Sequence, residues 1–167
     1  LVMLPSMRVF TALFLTIASL PSFSQDAVTF DRLTFHQAPK PLSSKAVKQE
    51  WPRVLGPSDD SSITETPLLK TFPESGLKPV WEVAMGEGYT SPAIVGDYCV
   101  IFHALDKKET IECLHRETGR RFWIKDYPFE YQDRYGFGNG PRSSPVIADN
   151  VVVTLGVTSM LHAYDLK

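Results

Sequence analysis

The sequence predicts an all-β protein of short antiparallel strands, preceded by a long irregular segment. Three observations lead to this fold class. Thirteen of the 167 residues are proline, and seven of the prolines lie between residues 36 and 80, where they interrupt regular structure. From residue 81 onward the apolar residues recur with a period of two, which is typical of strands. A segment of this second part then occurs twice, which indicates tandem units of one kind.

The composition is that of a globular protein with little net charge. Hydrophobic residues make up 43% of the chain and charged residues 22%, with a formal net charge of −2. These values exclude a wholly disordered chain, a collagen and a coiled coil. Lysine and arginine form no block, so the clustered positive face that phosphate binding needs is absent, and nucleic acid is not an expected partner.

Residues 1–24 have the pattern of a secretory signal peptide. One basic residue, Arg8, precedes an apolar run of 12 residues, and small residues occupy positions just before Gln25. The run is shorter than the ~20 apolar residues of a membrane-spanning helix, so no membrane span is expected. No cysteine precedes Cys99, so no lipid anchor is expected either. The sequence therefore predicts a periplasmic or secreted protein.

Residues 25–80 are predicted to form an irregular arm. Clusters of proline, glycine, serine and aspartate mark turns throughout this segment. One stretch, from Ser43 to Gln49, is compatible with a short helix that Pro52 would end. Asp59 and Asp60 lack the ligand spacing of a calcium-binding loop, so a solvated turn is expected there.

Four short strands joined by hairpins are predicted to follow the arm. Turn signals at positions 96–97, 106–108 and 117–119 separate runs that are rich in β-branched and aromatic residues. The predicted strands are residues 91–95, 98–104, 110–115 and 121–124.

The strand pattern then occurs a second time. Three pairs of segments match: residues 90–97 and 143–150, 98–102 and 151–155, and 111–115 and 161–165. The first two matches are 53 residues apart and the third is 50, so one hairpin is three residues longer in the first copy. The next Ser-Pro pair begins 10 residues after Trp81 but 21 residues after Trp123, which predicts an 11-residue insertion within residues 125–141.

A four-stranded antiparallel unit of about 40 residues matches the period of a β-propeller blade. The sequence is therefore divided into blade one at about 81–124, the insertion at 125–141 and a partial blade two at 142–167. A single sheet with two apolar faces needs neighbours on both sides, and a ring also removes exposed sheet edges. We therefore expect an all-β, partial β-propeller, in which the chain supplies the first one to two blades of a longer protein.

The two cysteines lie on strands that are expected to pair. With a hairpin loop at 105–108, Val100 lies opposite Cys113, and Cys99 lies opposite Leu114. The two sulfurs then face opposite sides of the sheet, which favours free thiols at Cys99 and Cys113 over the disulfide that export would permit. No Cys-x-x-Cys or paired-histidine spacing supports a metal site or covalent haem.

The insertion contains the candidate ligand-binding residues Tyr135, Asn139 and Arg142. Loops that enter the innermost strand of a ring lie near its axis, where pockets form. There Arg142 could bind a carboxylate through two parallel hydrogen bonds, and Asn139 could offer its amide. In the structural alternative the glycines shape the turn, Arg142 pairs with Glu130 or Asp133, and the tyrosines pack on blade one. No catalytic residue is assigned.

Several of these features together resemble the pyrroloquinoline quinone (PQQ) repeat of quinoprotein-like propellers. They are the strand starts Ser91-Pro92 and Ser144-Pro145, the turn Gly96-Asp97, Leu114, the ending Glu117-Thr118-Gly119-Arg-Arg-Phe-Trp123 and the segment Ala163-Tyr164-Asp165. A subgroup of exported bacterial proteins is similar in its arm as well, through Trp51-Pro52, Leu55-Gly56-Pro57 and the run Tyr135-Gly-Phe-Gly-Asn-Gly-Pro-Arg142. The resemblance covers roughly residues 51–167 and implies a ring of seven or eight blades.

The resemblance implies two functions of different classes. One is a noncatalytic scaffold with a protein or small-molecule ligand at the propeller face, as in a similar outer-membrane assembly lipoprotein. The other is an alcohol or sugar dehydrogenase that uses PQQ and Ca²⁺, with an aspartate as base. The adjacent cysteine pair that such enzymes often carry is missing here, and no catalytic aspartate matches by motif. The scaffold is therefore favoured, and no cofactor is assigned.

Overall fold

The computed structural model describes residues 26–167, which form nine strands in three antiparallel sheets. The strands are β1 (Leu33–Phe35), β2 (Trp81–Val83), β3 (Ala93–Val95), β4 (Tyr98–Leu105), β5 (Lys108–His115), β6 (Arg121–Pro128), β7 (Val146–Ala148), β8 (Val151–Leu155) and β9 (Leu161–Asp165). No helix occurs in this part of the chain, so the all-β prediction is confirmed. None of the three sheets closes on itself. The predicted signal peptide lies outside the described residues.

The predicted four-stranded unit forms a meander with the order β3-β4-β5-β6. The β4–β5 turn consists of Asp106 and Lys107, whose φ angles of 50° and 62° suit a tight hairpin. Because this turn has only two residues, β5 begins at Lys108 and offers extra partners to β6. Strand β6 therefore continues to Pro128, which pairs with Lys108, and occupies the first four residues of the predicted insertion.

The second copy forms a three-stranded meander with the order β7-β8-β9. Its first turn is Asp149-Asn150, with φ angles of 46° and 68°. Strands β8 and β9 have the bounds that the sequence match predicts, residues 151–155 and 161–165.

The arm departs from prediction in two places. Residues 43–49 are not helical: the chain turns through a hydrogen bond from the Ala46 amide to the Ser43 carbonyl, 2.9 Å, and the Val47 amide then bonds to the Thr66 carbonyl, 2.8 Å. Partners from the other side of the arm thus replace the hydrogen bonds of a helix. The second place is Leu33–Phe35: this part of the arm, predicted to be irregular, forms β1, which pairs with β2 in a sheet of its own.

The four-stranded sheet has an apolar side chain layer on each face, and each layer is covered by another sheet. Val100, Phe102 and Ile111 pack with Ile147 and Val152 of the three-stranded sheet. Side chains alternate between the two faces along β4 and β5. On the opposite face, Cys99, Ile101 and Leu114 therefore pack against Trp81 and Val83 of the two-stranded sheet. The three sheets therefore stack face to face, with the four-stranded sheet in the middle.

The same tryptophan contact occurs at both sheet-to-sheet interfaces. The indole N–H of Trp81 donates to the Arg116 carbonyl at 3.0 Å, and that of Trp123 donates to the Leu166 carbonyl at 2.8 Å. Each acceptor directly follows the third strand of its meander, and the two acceptors are 50 residues apart, as in the third sequence match. The sequence repeat is therefore also a repeat of inter-sheet contacts.

The arm covers the β3 edge of the four-stranded sheet and the β7 edge of the three-stranded sheet. Trp51 forms two backbone hydrogen bonds with Ile94 of β3, both 2.8 Å, and the Pro52 carbonyl accepts the Ile147 amide of β7 at 2.9 Å. Strands β3 and β7 also contact each other. Within residues 26–167, no helix has the length and apolarity needed to cross a bilayer.

The register that the hairpin predicted for the cysteines is confirmed. Val100 pairs with Cys113, and Cys99 pairs with Leu114. Both thiols are free and buried, one on each face of the sheet. Burial raises the pKa of Cys99 to about 11 and that of Cys113 to about 12, so both remain protonated at neutral pH.

Gly119→Ala tests the packing under Trp81. Gly119 has a φ of +69°, and an added Cβ would lie 2.6 Å from Leu33 and 2.7 Å from Trp81. Gly76 has a φ of +73° with no atom within 4 Å of its Cβ position, so Gly76→Ala isolates the backbone strain. We expect losses in the free energy of unfolding of about 1 kcal/mol for Gly76→Ala and about 3 kcal/mol for Gly119→Ala in urea titrations. Equal losses would contradict the packing described here.

Candidate functional site

The loop that joins β6 to β7, residues 129–145, is organised around the Asp133 carboxylate. This carboxylate accepts the backbone amides of Phe137 at 2.9 Å and Tyr135 at 3.0 Å, and it pairs with the Arg142 guanidinium at 3.0 Å. The amide of Phe137, then that of Tyr135, and the charge of Arg142 lower the pKa of Asp133. The loop is thus held by hydrogen bonds to one ionised side chain.

Arg142 directs its donors into the same loop. Its Nη1 donates to the Tyr131 hydroxyl at 3.0 Å, and its Nη2 donates to Asp133 and to the Gly138 carbonyl at 3.2 Å. The guanidinium carbon also lies 5.5 Å from the centre of the Tyr131 ring. These contacts agree with the structural alternative for Arg142, in which it pairs with Asp133.

The other two predicted site residues have different surroundings. Asn139 joins the Asp133 cluster, because its Oδ1 accepts the backbone amide of Asp133 at 2.9 Å. Its backbone N–H donates to the Glu87 carboxylate at 2.7 Å. The Tyr135 side chain is 73% exposed and its ring centre lies 6.4 Å from that of Phe137, so this tyrosine does not pack on the four-stranded sheet. The structure therefore brings Asn139 and Arg142 together but leaves the Tyr135 ring in solvent.

A cleft of about 520 Å³ opens between this loop and the β4–β5 turn. It is lined by Glu87, Ala104, Asp106, Lys107, Phe129, Glu130, Tyr131, Gln132 and Asn139. Of the three predicted ligand-binding residues, only Asn139 lines it. The sequence did not identify Glu87 and Tyr131 as residues of this site. A signal for Asp133 was present, because an aspartate often accepts the amides of residues shortly after it in an Asx turn, as Asp133 does with Tyr135 and Phe137.

A second carboxylate, Glu112, is fully buried on the face toward β1 and β2. It pairs with Arg32 of the arm and with Arg121 at 2.9 Å, and it accepts the His103 Nε2 hydrogen at 2.9 Å. His103 Nδ1 accepts the Gly86 amide at 2.8 Å, which leaves Nε2 as the nitrogen that carries the hydrogen. Burial by itself would raise the pKa of Glu112, but the hydrogen bonds from His103, Arg121 and Arg32 lower it to about 2.

A third carboxylate, Glu109, is fully buried at the interface with the three-stranded sheet. It accepts the Tyr127 hydroxyl at 2.7 Å and the Val157 amide at 2.8 Å. Burial, and then the hydrogen bond to Glu109, raise the pKa of Tyr127. A Cβ on Gly156 would lie 2.0 Å from a Glu109 carboxylate oxygen and 2.6 Å from the Tyr127 hydroxyl, so a larger residue at this position would displace these two side chains.

No family model matches this chain, and a search of curated proteins found no relative. Among residues 26–167, no group of three or more histidine, cysteine, aspartate or glutamate side chains is arranged to hold a metal ion. The site is therefore described by its own geometry: a loop fixed by Asp133, a polar cleft beside it and two buried carboxylates with intramolecular partners.

Glu112→Gln tests the buried ion cluster. The folded-state pKa of about 2 lies below the ordinary value of 4.5, so the ionised carboxylate stabilises the fold above pH 4.5 and loses this effect as the pH falls toward 2. At pH 7 we expect Glu112→Gln to lower the free energy of unfolding by about 3 kcal/mol, because the half-buried guanidinium groups of Arg32 and Arg121 lose the carboxylate that pairs with both.

The difference between Glu112→Gln and the parent protein should shrink between pH 4.5 and pH 2, measured by urea denaturation. Glu74→Gln, at an exposed position, serves as the control and should change stability by less than about 0.5 kcal/mol at either pH. A difference between parent and Glu112→Gln that does not depend on pH would contradict the ionised state.

Arg142→Ala tests whether this side chain holds the loop. We expect faster hydrogen exchange at the amides of Tyr135 and Phe137, because Asp133 loses the cation that fixes its carboxylate. Arg134→Ala, at an exposed arginine of the same loop, should leave both amides unchanged. Unchanged exchange in Arg142→Ala would mean that the guanidinium is available for an external carboxylate.

Proposed function

We propose that this chain is part of an exported β-propeller protein of the PQQ-repeat type, which acts as a noncatalytic binding or assembly scaffold. The single observation that carries the proposal is the repeated tryptophan contact, from Trp81 to Arg116 and from Trp123 to Leu166. The export part of the proposal rests on the signal pattern of residues 1–24.

The repeated contact supports a ring because the same hydrogen bond, from a tryptophan indole to a carbonyl, joins the two-stranded sheet to the four-stranded sheet and the four-stranded sheet to the three-stranded sheet. Equivalent residues of the two copies also meet directly: the Ser91 amide donates to the Ser144 hydroxyl at 2.8 Å, and these serines are 53 residues apart. The first strands β3 and β7 lie in contact, as the innermost strands of neighbouring blades do. A repeated contact between sheets whose first strands converge is what a ring of blades around an axis requires.

A noncatalytic binding role is supported by two features: the buried or paired charged groups, and the exposed aromatic side chains of the loop around Asp133. Glu109 and Glu112 bind other segments of the chain, and Arg142 binds partners within its own loop, so all three groups are used inside the fold. The loop around Asp133 in turn displays exposed aromatic side chains, Tyr135 and Phe137, on a backbone fixed by hydrogen bonds. Loops of this kind on a rigid β-scaffold are common binding elements.

The alternative, a dehydrogenase that uses PQQ and Ca²⁺, can be tested directly. The purified protein is titrated with PQQ in the presence of Ca²⁺ while its tryptophan fluorescence is followed, with free tryptophan as the control for absorption by the quinone. We expect no saturable quenching beyond that control and no reduction of an artificial electron acceptor with alcohols or sugars. Saturable quenching together with dye reduction would overturn the scaffold proposal in favour of the enzyme.

A further inference from the structure

We propose that a groove between the arm and the four-stranded sheet binds a single-chain anionic amphiphile, a fatty-acid-like carboxylate. The groove has a volume of about 580 Å³, within the ~300–1,000 Å³ range of small-molecule sites. Its lining includes Lys40, Leu42, Val47, Lys48, Ile63 and Leu68. The inference goes beyond the proposed function, because the arm and one sheet edge form the groove whether or not the sheets belong to a ring.

The walls of the groove are fixed by backbone hydrogen bonds. Val47 and Thr66 form a two-way bridge, with N–O distances of 2.8 and 3.2 Å, which joins the two sides of the arm. Trp51, at the base, is bonded to Ile94 of β3. The Trp51 ring packs on Gly56, where an added Cβ would lie 2.8 Å from the ring. These hydrogen bonds and this packing hold the walls of the groove in place.

Four large aliphatic side chains of the groove keep about half of their surface in water. Leu42 is 60% exposed, Val47 50%, Ile63 47% and Leu68 59%. Single exposed apolar residues are ordinary, but a contiguous set in one concavity marks a binding surface. An alkyl chain laid along the groove would remove this apolar surface from water without needing any hydrogen-bond partner.

The charged residues that line the groove favour an anionic head group. The Arg116 guanidinium pairs with the Glu117 carboxylate at 3.2 Å, and the Glu65 carboxylate accepts the backbone N–H of Gln49 at 3.2 Å. Among the described residues, neither Lys40 nor Lys48 has a carboxylate within ion-pair distance. The lining carries three basic residues, Lys40, Lys48 and Arg116, against the two carboxylates Glu65 and Glu117. Its net positive charge favours an anionic head group with an alkyl tail over a cationic one.

Binding is tested with laurate as the probe, by isothermal titration calorimetry of the whole protein below the micelle concentration. We expect saturable binding of one laurate per chain. Dodecanol, with the same tail and no charge, should bind about tenfold more weakly, and dodecyltrimethylammonium should bind more weakly still. Equal affinity for laurate and the cationic amphiphile, or no laurate binding, would overturn the proposal.

Two pairs of variants locate the site. Leu68→Asp places a charge in the groove and should weaken laurate binding at least about tenfold, whereas Leu69→Asp, at a neighbour that is 64% exposed and outside the groove, should leave it unchanged. The double variant Lys40→Glu and Lys48→Glu should weaken laurate but not dodecanol. Lys70→Glu, outside the groove, is its control.

The same variants distinguish the amphiphile from a second copy of the chain. Light scattering of the parent protein should give one mass with and without laurate. If the parent self-associates and Leu68→Asp separates the copies, the groove is an interface between copies and the proposal fails. Laurate binding that Leu68→Asp and Leu69→Asp weaken equally would also overturn it.

Discussion

The fold depends on the burial of both faces of one four-stranded sheet. Because side chains alternate along its strands, β4 and β5 present two apolar layers, one with Val100 and Phe102 and one with Ile101 and Leu114. Neither layer can be left in water, so a sheet has to stack on each side. A tryptophan indole joins each pair of neighbouring sheets, since its N–H donates to a carbonyl of the next sheet.

The buried carboxylates follow from the same constraint. Polar side chains at the margins of two packed sheets become buried, and burial is unfavourable unless such a group forms hydrogen bonds. Glu112 draws Arg32 from the arm onto the sheet, and Glu109 receives the Val157 amide from the loop between β8 and β9. These buried carboxyl groups thus join separate segments of the chain, and their hydrogen-bonding capacity is used within the fold.

Much of the fold could be predicted because it is encoded locally. Two-residue turns, alternating apolar residues and the offsets of 53 and 50 residues predict the meanders and the cysteine register. The partner of β2 could not be predicted, because its pairing with β1 joins segments far apart in sequence that share no pattern. The end of β6 was also missed, since Lys125 and Asp126 look like loop residues until the β5 partners that continue the ladder are known.

The candidate site was predicted less well than the fold. Sequence composition identified the loop, and it paired Arg142 with Asp133 as one of two alternatives. It could not show that one carboxylate would take up Arg142 together with two backbone amides, because that depends on the path of the loop. The groove in the arm was missed altogether, since its aliphatic residues come from two irregular segments that meet only through the bridge between Val47 and Thr66.

The bond between Trp51 and Ile94 also has a consequence for the order of folding. A ribosome makes the arm before it makes the strand on which the arm docks, and the hairpins of the sheet can close as soon as their short turns emerge. The backbone contacts of Trp51 with β3 therefore form only after the β-meander has been synthesised. A chaperone that binds this chain during synthesis would meet the arm before the sheet.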